Sequence, residues 1–217
     1  MEINASMVKQ LREQTGAGMM ACKMALQEAS GDLAQAVIVL RKKGLAAAAK
    51  KSGRTTAEGA VLSYVHAGGK IGVLVEVNCE TDFVAKTDDF TGLVKDIAMH
   101  VAASRPEWVR RDDVPADIQE RERAIFREAA VATGKPEKVI DKIVDGKMDR
   151  FFQNVCLLDQ AFVKDPDHSV QDIVHAAVAK LGENIQVRRF VRFGLGEELD
   201  EGGQVSSLPP GAEATSH

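Results

Sequence analysis

Aromatic residues are scarce, 5% of 217 positions with a single Trp and a single Tyr, so any core must be mostly aliphatic. Cysteine is scarce too. Cys22, Cys79 and Cys156 are odd in number, far apart and in no CxxC pair, which argues against a disulfide framework and a zinc site and fits a reducing, cytosolic setting. No apolar run approaches the roughly 20 residues of a membrane-spanning helix. The opening Met1-Glu2-Ile3-Asn4 lacks the basic-then-apolar layout of a secretory signal. The expectation is a soluble, cytoplasmic protein with no membrane partner. A formal net charge of −4 gives no reason to expect direct nucleic-acid binding.

Enzyme motifs are also missing. Gly16-Ala17-Gly18 is followed by Met19-Met20 rather than by Gly-Lys-Ser/Thr, so it is not a phosphate-binding loop. It also lacks the preceding strand and third glycine of a dinucleotide fingerprint, and it reads as a turn between helices. His66, His100, His168, His175 and His217 are scattered. His100 and His175 fall in amphipathic helices and are expected at a core edge or the surface. Cys79 and His66 would make a thiol–imidazole pair only with a third, orienting group, and none stands out; a buried apolar thiol is the simpler expectation. No general acid or base can be assigned among the carboxylates. No catalytic residue, metal or cofactor is expected.

What is present is an ordinary apolar fraction of 45%, enough for a packed core, and an uneven charge distribution. Residues 1–54 hold nine Lys/Arg against four Asp/Glu, whereas residues 195–217 hold five acids and no Lys/Arg. Solvated faces account for this; a basic module steered toward an acidic partner is the sharper alternative.

Periodicity predicts three short helices in the first fifty residues. Met7, Val8 and Leu11 stripe the first, which stops near Thr15-Gly16. Gly18 restarts the chain into Met20, Met24 and Leu26. Asp32 is placed to cap the third helix, where Leu33, Ala36, Val37 and Leu40 recur at helical spacing. Lys42, Lys43 and Gly44 suit a helix C-terminus, with further helix over Ala46–Lys51 and a break at Ser52-Gly53. The domain boundary is placed there: 1–53 helical, 54–196 a second domain, and 197–217 an acidic tail expected to be disordered.

The second domain opens with strands at Ala60–His66 and Ile71–Val77 around Ala67-Gly68-Gly69. A strong helix over Thr87–Ala103 follows, with Phe90, Leu93, Val94, Ile97 and Val101 on one face. Pro115 starts a helix carrying Ile118, Ile125 and Ala129, and Pro136 a further short one with Val139, Ile140, Ile143 and Val144. Residues 149–163 read as helix running into an extended piece. Ser169 caps a last helix that Gly182 stops, and Ile185–Phe193 is a final strand expected to pair with the opening hairpin. The fold class is therefore α+β: a helical N-terminal domain, then a small antiparallel sheet packed by helices.

The most informative stretch is Asn78 to Lys86, between a strand end and the strongest helix. Asp82 and Phe83 set an acid beside a large apolar ring. In one reading Thr81 or Asp82 caps a turn and Phe83 covers the core edge. In the other, Phe83 is an exposed wedge awaiting a partner pocket.

Two long segments make the chain recognisable. Val8–Met20 (VKQLREQTGAGMM) and Val73–Ala85 (VLVEVNCETDFVA) resemble the two signatures of the elongation factor Ts family. Ala98–Ala103, Gly134-Lys135-Pro136, Phe162–Asp165 and Gly182–Ile185 resemble further family segments, in order, so the resemblance spans about residues 3–196. Ala21 and Ala161 depart from it, where Asp and Pro are usual. The resemblance implies a ubiquitin-associated-like N-terminal domain that docks on the GTPase domain of elongation factor Tu through Arg12, Met19 and Met20. It implies that Thr81, Asp82, Phe83 and Val84 press near the magnesium side of that partner's nucleotide site, so that Mg²⁺ is displaced and GDP released. The family also occurs with a duplicated core; a single copy here leads to the expectation that two chains pair through the core. The alternative from another class is a ubiquitin-associated-type adaptor without exchange activity.

Overall fold

In the computed structural model, residues 3–197 are described. The expected acidic tail lies outside the described residues, apart from Glu197.

Three helices open the chain, α1 (Ala5–Thr15), α2 (Met19–Glu28) and α3 (Leu33–Lys51). Their ends are set locally. The Asn4 side chain accepts from the Met7 amide, Gly16 takes the left-handed conformation after α1, and Asp32 accepts from the Gln35 amide. Such caps satisfy amides that no preceding helical turn can reach. Val8, Leu11, Cys22, Ala25, Leu26 and Ala36 form a small core of their own. On α2 the buried stripe is Cys22, Ala25 and Leu26, and Met20 and Met24 face outward.

Helix α3 does not end at Lys42–Gly44. It runs unbroken through Gly44 to Lys51. Gly44 is buried where α3 packs on a later helix, with the position of a Cβ 3.8 Å from Ala179 Cβ, an ordinary contact. It marks a helix–helix contact rather than a stop. Ala48, one turn on, joins the main core, so α3 reaches from one core into the next.

Strands β1 (Glu58–Val65) and β2 (Ile71–Cys79) pair antiparallel. A single helical turn, α4 (Asp82–Ala85), leads into α5 (Asp88–Ser104). Phe90, Leu93, Val94, Ile97 and Val101 are all buried, and they meet Val73, Val75, Val77 and Cys79 on the inner sheet face. His100 is fully buried rather than at the core edge: its Nδ1 accepts from the Val163 amide (3.2 Å), so Nε2–H donates to Gln160 Oε1 (2.9 Å).

Helices α6 (Ala116–Val131) and α7 (Glu137–Val155) pack on each other around Ile140, Val144, Met148 and Phe152. On α6 the face turned inward holds Ile118, Phe126 and Ala130, while Ile125 and Ala129 are exposed. The Phe126 ring, with Lys147 Nζ 5.5 Å above its centre, draws that face toward α7. Nor is α7 short. It has 19 residues and absorbs the first part of the stretch read as changing from helix to extended. Arg123–Asp145 and Arg127 with Asp141 and Glu137 tie the two helices along their length.

A small hairpin of β3 (Ala161–Phe162) and β4 (Asp165–Ser169) precedes α8 (Val170–Leu181). Ser169 and Asp172 cap α8 reciprocally, and Gly182 closes it at φ 79°. Strand β5 (Ile185–Gly194) then pairs antiparallel with β2, giving the sheet order β1-β2-β5. One sheet face carries helices; the other leaves Val61, Val65, Leu74 and Phe193 exposed. The fold is α+β. No helix among the described residues is long and apolar enough to cross a membrane.

Candidate functional site

The chain leaves the sheet at Cys79, whose buried thiol donates to the Thr81 carbonyl at 3.2 Å. Burial, then the nearby Glu183 carboxylate, pushes that thiol pKa up, the reverse of what a nucleophile needs. His66 lies at the far end of the hairpin, since Cys79 pairs with Glu58 and Gly72 with Val65. At about 3.4 Å per residue that is roughly 25 Å away. Cys79 and His66 therefore form no thiol–imidazole pair.

Two N-caps stand back to back after Cys79. Thr81 Oγ1 accepts from the Val84 amide at 3.4 Å and starts α4; Thr87 Oγ1 accepts from the Phe90 amide at 3.2 Å and starts α5. The Thr87 hydroxyl also donates to the Val84 carbonyl at 2.8 Å. The chain thus makes one helical turn, stops and restarts. Val84 and Ala85 pack against the core, which leaves the opposite side of the turn facing out. Phe83 is on that side and is 81% exposed. A large ring so exposed at a corner this constrained gains nothing for folding, and it has the form of an interface anchor. Beside it, Asp82 accepts from Lys86 Nζ at 2.7 Å. That bond holds the Asp82 carboxyl below its usual range and raises the Lys86 ammonium, so the turn carries an exposed ion pair next to the ring.

The other end of the core holds this turn in place. Glu183, just past α8, accepts from the Glu80 and Thr81 amides (3.1 and 3.0 Å) through Oε2 and from the Thr81 hydroxyl (2.6 Å) through Oε1. Glu80 returns the contact by accepting from the Asn184 amide at 2.6 Å. That bond, with Arg54 adding its charge, keeps the Glu80 carboxyl below its usual range. Asn184 Nδ2 donates to the carbonyls of Ser52 (3.3 Å) and Arg54 (2.9 Å). The exit of α3, the Phe83 turn and the α8–β5 turn therefore meet at one junction. Glu80, Glu183 and Asn184 fell within segments noted from the sequence, but none was named as a site residue. The contacts that join Glu80 and Thr81 to Glu183 and Asn184 span more than a hundred residues, and no local pattern marks such contacts.

A second exposed apolar patch lies on the N-terminal helices. Met19 is 59% and Met20 69% exposed, with Met24 beside them. Arg12 is exposed in the last turn of α1, across the Gly16–Gly18 turn. The residues singled out from sequence thus form two clusters: Thr81 to Val84 on the core, and Arg12, Met19 and Met20 on the helical module. Among the described residues, no group of three or more His, Cys, Asp or Glu side chains is gathered as metal ligands.

Residues 45–197 match the model of the family described as Elongation factor TS. The chain is similar to the protein named Elongation factor Ts of Anaeromyxobacter dehalogenans, 62% identical over 200 residues, covering 92% of this chain and 91% of that protein. It is 59% identical to the Elongation factor Ts of Geobacter sulfurreducens over 201 residues (93% of each chain). The protein of that name from Desulforamulus reducens is also 59% identical, over 200 residues (92% of each).

Proposed function

The chain belongs to the elongation factor Ts family of translation factors, and from that premise we propose that it is a non-enzymatic nucleotide-exchange factor acting on the GTPase elongation factor Tu. Residues 1–53, a ubiquitin-associated-type module, dock through Arg12, Met19 and Met20 on the partner's GTPase domain. The core of residues 54–196 then presents Thr81 to Val84 beside the partner's magnesium site. Phe83 enters between partner elements as a wedge, and Asp82 acts on the switch region. Magnesium bridges the nucleotide's phosphates and holds the switch loops, so dislodging it weakens GDP. Both proteins act in the cytoplasm.

The observation that carries this reading is the exposure of Phe83 on a turn capped at both ends. Coupling between nucleotide and factor is reciprocal: whatever free energy Phe83 uses against GDP, GDP uses against the factor. Each tenfold loss of nucleotide affinity requires about 1.4 kcal/mol of differential interaction. The test is release of fluorescent GDP from purified elongation factor Tu, with wild type and with an Asp82→Ala/Phe83→Ala double variant. Faster release with wild type, largely lost in a folded double variant, is the expected result. Unchanged release with wild type would remove the exchange reading and favour an adaptor without exchange activity.

We also propose that two chains pair through the core. The exposed apolar face of the sheet, with Val61, Leu74 and Val191 lining a shallow groove, suits the same face of a second copy related by a twofold axis. Sedimentation showing only monomer at working concentration would refute this pairing.

A further inference from the structure

The Phe83 corner is a single helical turn of four residues, too short to hold its own geometry. Yet a wedge works only if it arrives in a fixed place, because mobility costs free energy on binding. Most of the polar contacts that fix this corner from outside it come from one side chain. Glu183 takes two successive amides and one hydroxyl, at 3.1, 3.0 and 2.6 Å. It faces the segment immediately before Phe83 and lies on a different element of the fold.

We infer that Glu183 is a positioning residue for the exchange site, bracing the Glu80-Thr81 backbone so that Phe83 is presented in one orientation. The inference rests on the exchange reading above and deepens it. Neighbouring contacts make the brace a junction. Glu80 grips the Asn184 amide in return, and Asn184 holds the Ser52 and Arg54 carbonyls at the exit of α3. Arg54 closes the ring on Glu80 at 3.4 Å. The exposed methionine patch and the exposed phenylalanine are therefore linked through one hydrogen-bonded corner rather than through a loose tether. Binding energy gained at the helical module can then be used at the wedge without first ordering the join.

The chemistry of the brace predicts which substitutions matter. A glutamine at 183 keeps an oxygen for the two amides, and its NH₂ can donate to the Thr81 hydroxyl, which is both donor and acceptor. An alanine removes all three bonds. An aspartate is one methylene short and cannot reach all three groups together.

The experiment uses the full chain as wild type, Glu183→Gln, Glu183→Asp, Glu183→Ala and Phe83→Ala. It combines amide hydrogen exchange of the free factor with stopped-flow release of fluorescent GDP from elongation factor Tu over a range of factor concentrations. For Glu183→Ala, protection of the Glu80 and Thr81 amides should fall by about tenfold or more, with the β2 and α5 amides unchanged. The maximal release rate should fall by about the same order, while the factor concentration giving half-maximal effect holds. Glu183→Gln should restore both, and Glu183→Asp should fall between; the aspartate variant carries the test if the alanine variant does not fold. A Glu183→Ala protein with opened amides but full exchange, beside an impaired Phe83→Ala, would overturn the brace and leave the exchange reading standing. So would a glutamine variant as defective as alanine. A wild-type chain without effect on release would remove both.

Discussion

Replacing Phe83 with alanine should separate function from folding. The ring is 81% exposed, so its loss removes almost no native contact. Stability should change by no more than about 0.5 kcal/mol, a shift in Tm of roughly 1–2 °C for a chain of this size. In the complex the same ring has about 150–250 Å² to bury. At about 25 cal/mol per Å², covering the exposed share is worth roughly 3–5 kcal/mol as an upper bound. Truncated interface anchors cost about 2 kcal/mol or more. If 2 kcal/mol is expressed only when GDP is weakened, the maximal release rate falls about 30-fold. Reciprocity adds a second readout: the ratio of the factor's affinities for nucleotide-free and GDP-bound partner should shrink by a comparable factor. Stopped-flow release with fluorescent GDP gives the first quantity, titration of both partner forms the second, and a thermal melt the control. Unchanged release would refute the wedge. A Tm lowered by more than about 4 °C would refute the exposure on which the reasoning depends.

Further outcomes concern the body of the protein. Gly44→Ala should stabilise by about 0.5–1 kcal/mol, the helix-interior difference between the two residues, because the added Cβ meets only ordinary contacts at 3.8 and 3.9 Å; a lowered Tm would mean that the α3–α8 contact is tighter than that. Gly59→Ala should destabilise, since at φ 149° a Cβ would lie 2.2 Å from the Val77 carbonyl oxygen; an unchanged melt would show that β1 shifts freely. Burial depresses the pKa of His100, and that of half-buried His175, below the usual 6.5. As pH falls through 6.5 the unfolded chain takes up protons that the folded one refuses, so stability is fully present above 6.5 and declines below it, by up to about 1.4 kcal/mol per pH unit for fully buried His100 and by less for His175, which solvent screens. Denaturant melts between pH 7.5 and 5.5 should show this, with His100→Asn flattening part of the slope; an equally steep slope in that variant would contradict it. All three thiols are buried, and Cys156 is pushed up to about 12 mainly by burial, so alkylation should be slow until the chain is denatured; one thiol reacting at once in the folded protein would contradict the packing.

Much of this was written locally. Asp32 and Ser169 cap helices as their positions indicated, because a cap satisfies an amide only three residues ahead. The α5 stripe followed from a period of 3.6, which expresses backbone geometry alone, and the β1–β2 hairpin from two runs of β-forming residues around a glycine turn. The signature segments made the family recognisable, and they named Thr81 to Val84 together with Arg12, Met19 and Met20 as residues to inspect. Only the tertiary structure decided the rest. Gly44 resembles a helix end until α8 is seen lying against it. Ile125 and Phe126 both fit a helical stripe, and α7 determines which turns inward. His100 sits inside the core, where burial disfavours its charged form, because Val163 and Gln160, about sixty residues away, complete its two bonds. Phe83 could cover the core edge or stand clear of it, and it stands clear because Val84 and Ala85 take the inner side of the turn. Glu183 lay in a segment that resembles the family, but its role as a brace gave no local signal, since the groups it holds lie more than a hundred residues earlier. Propensity and capping act over a turn or two of chain, whereas exposure and long-range hydrogen bonds depend on which surfaces the folded chain brings together.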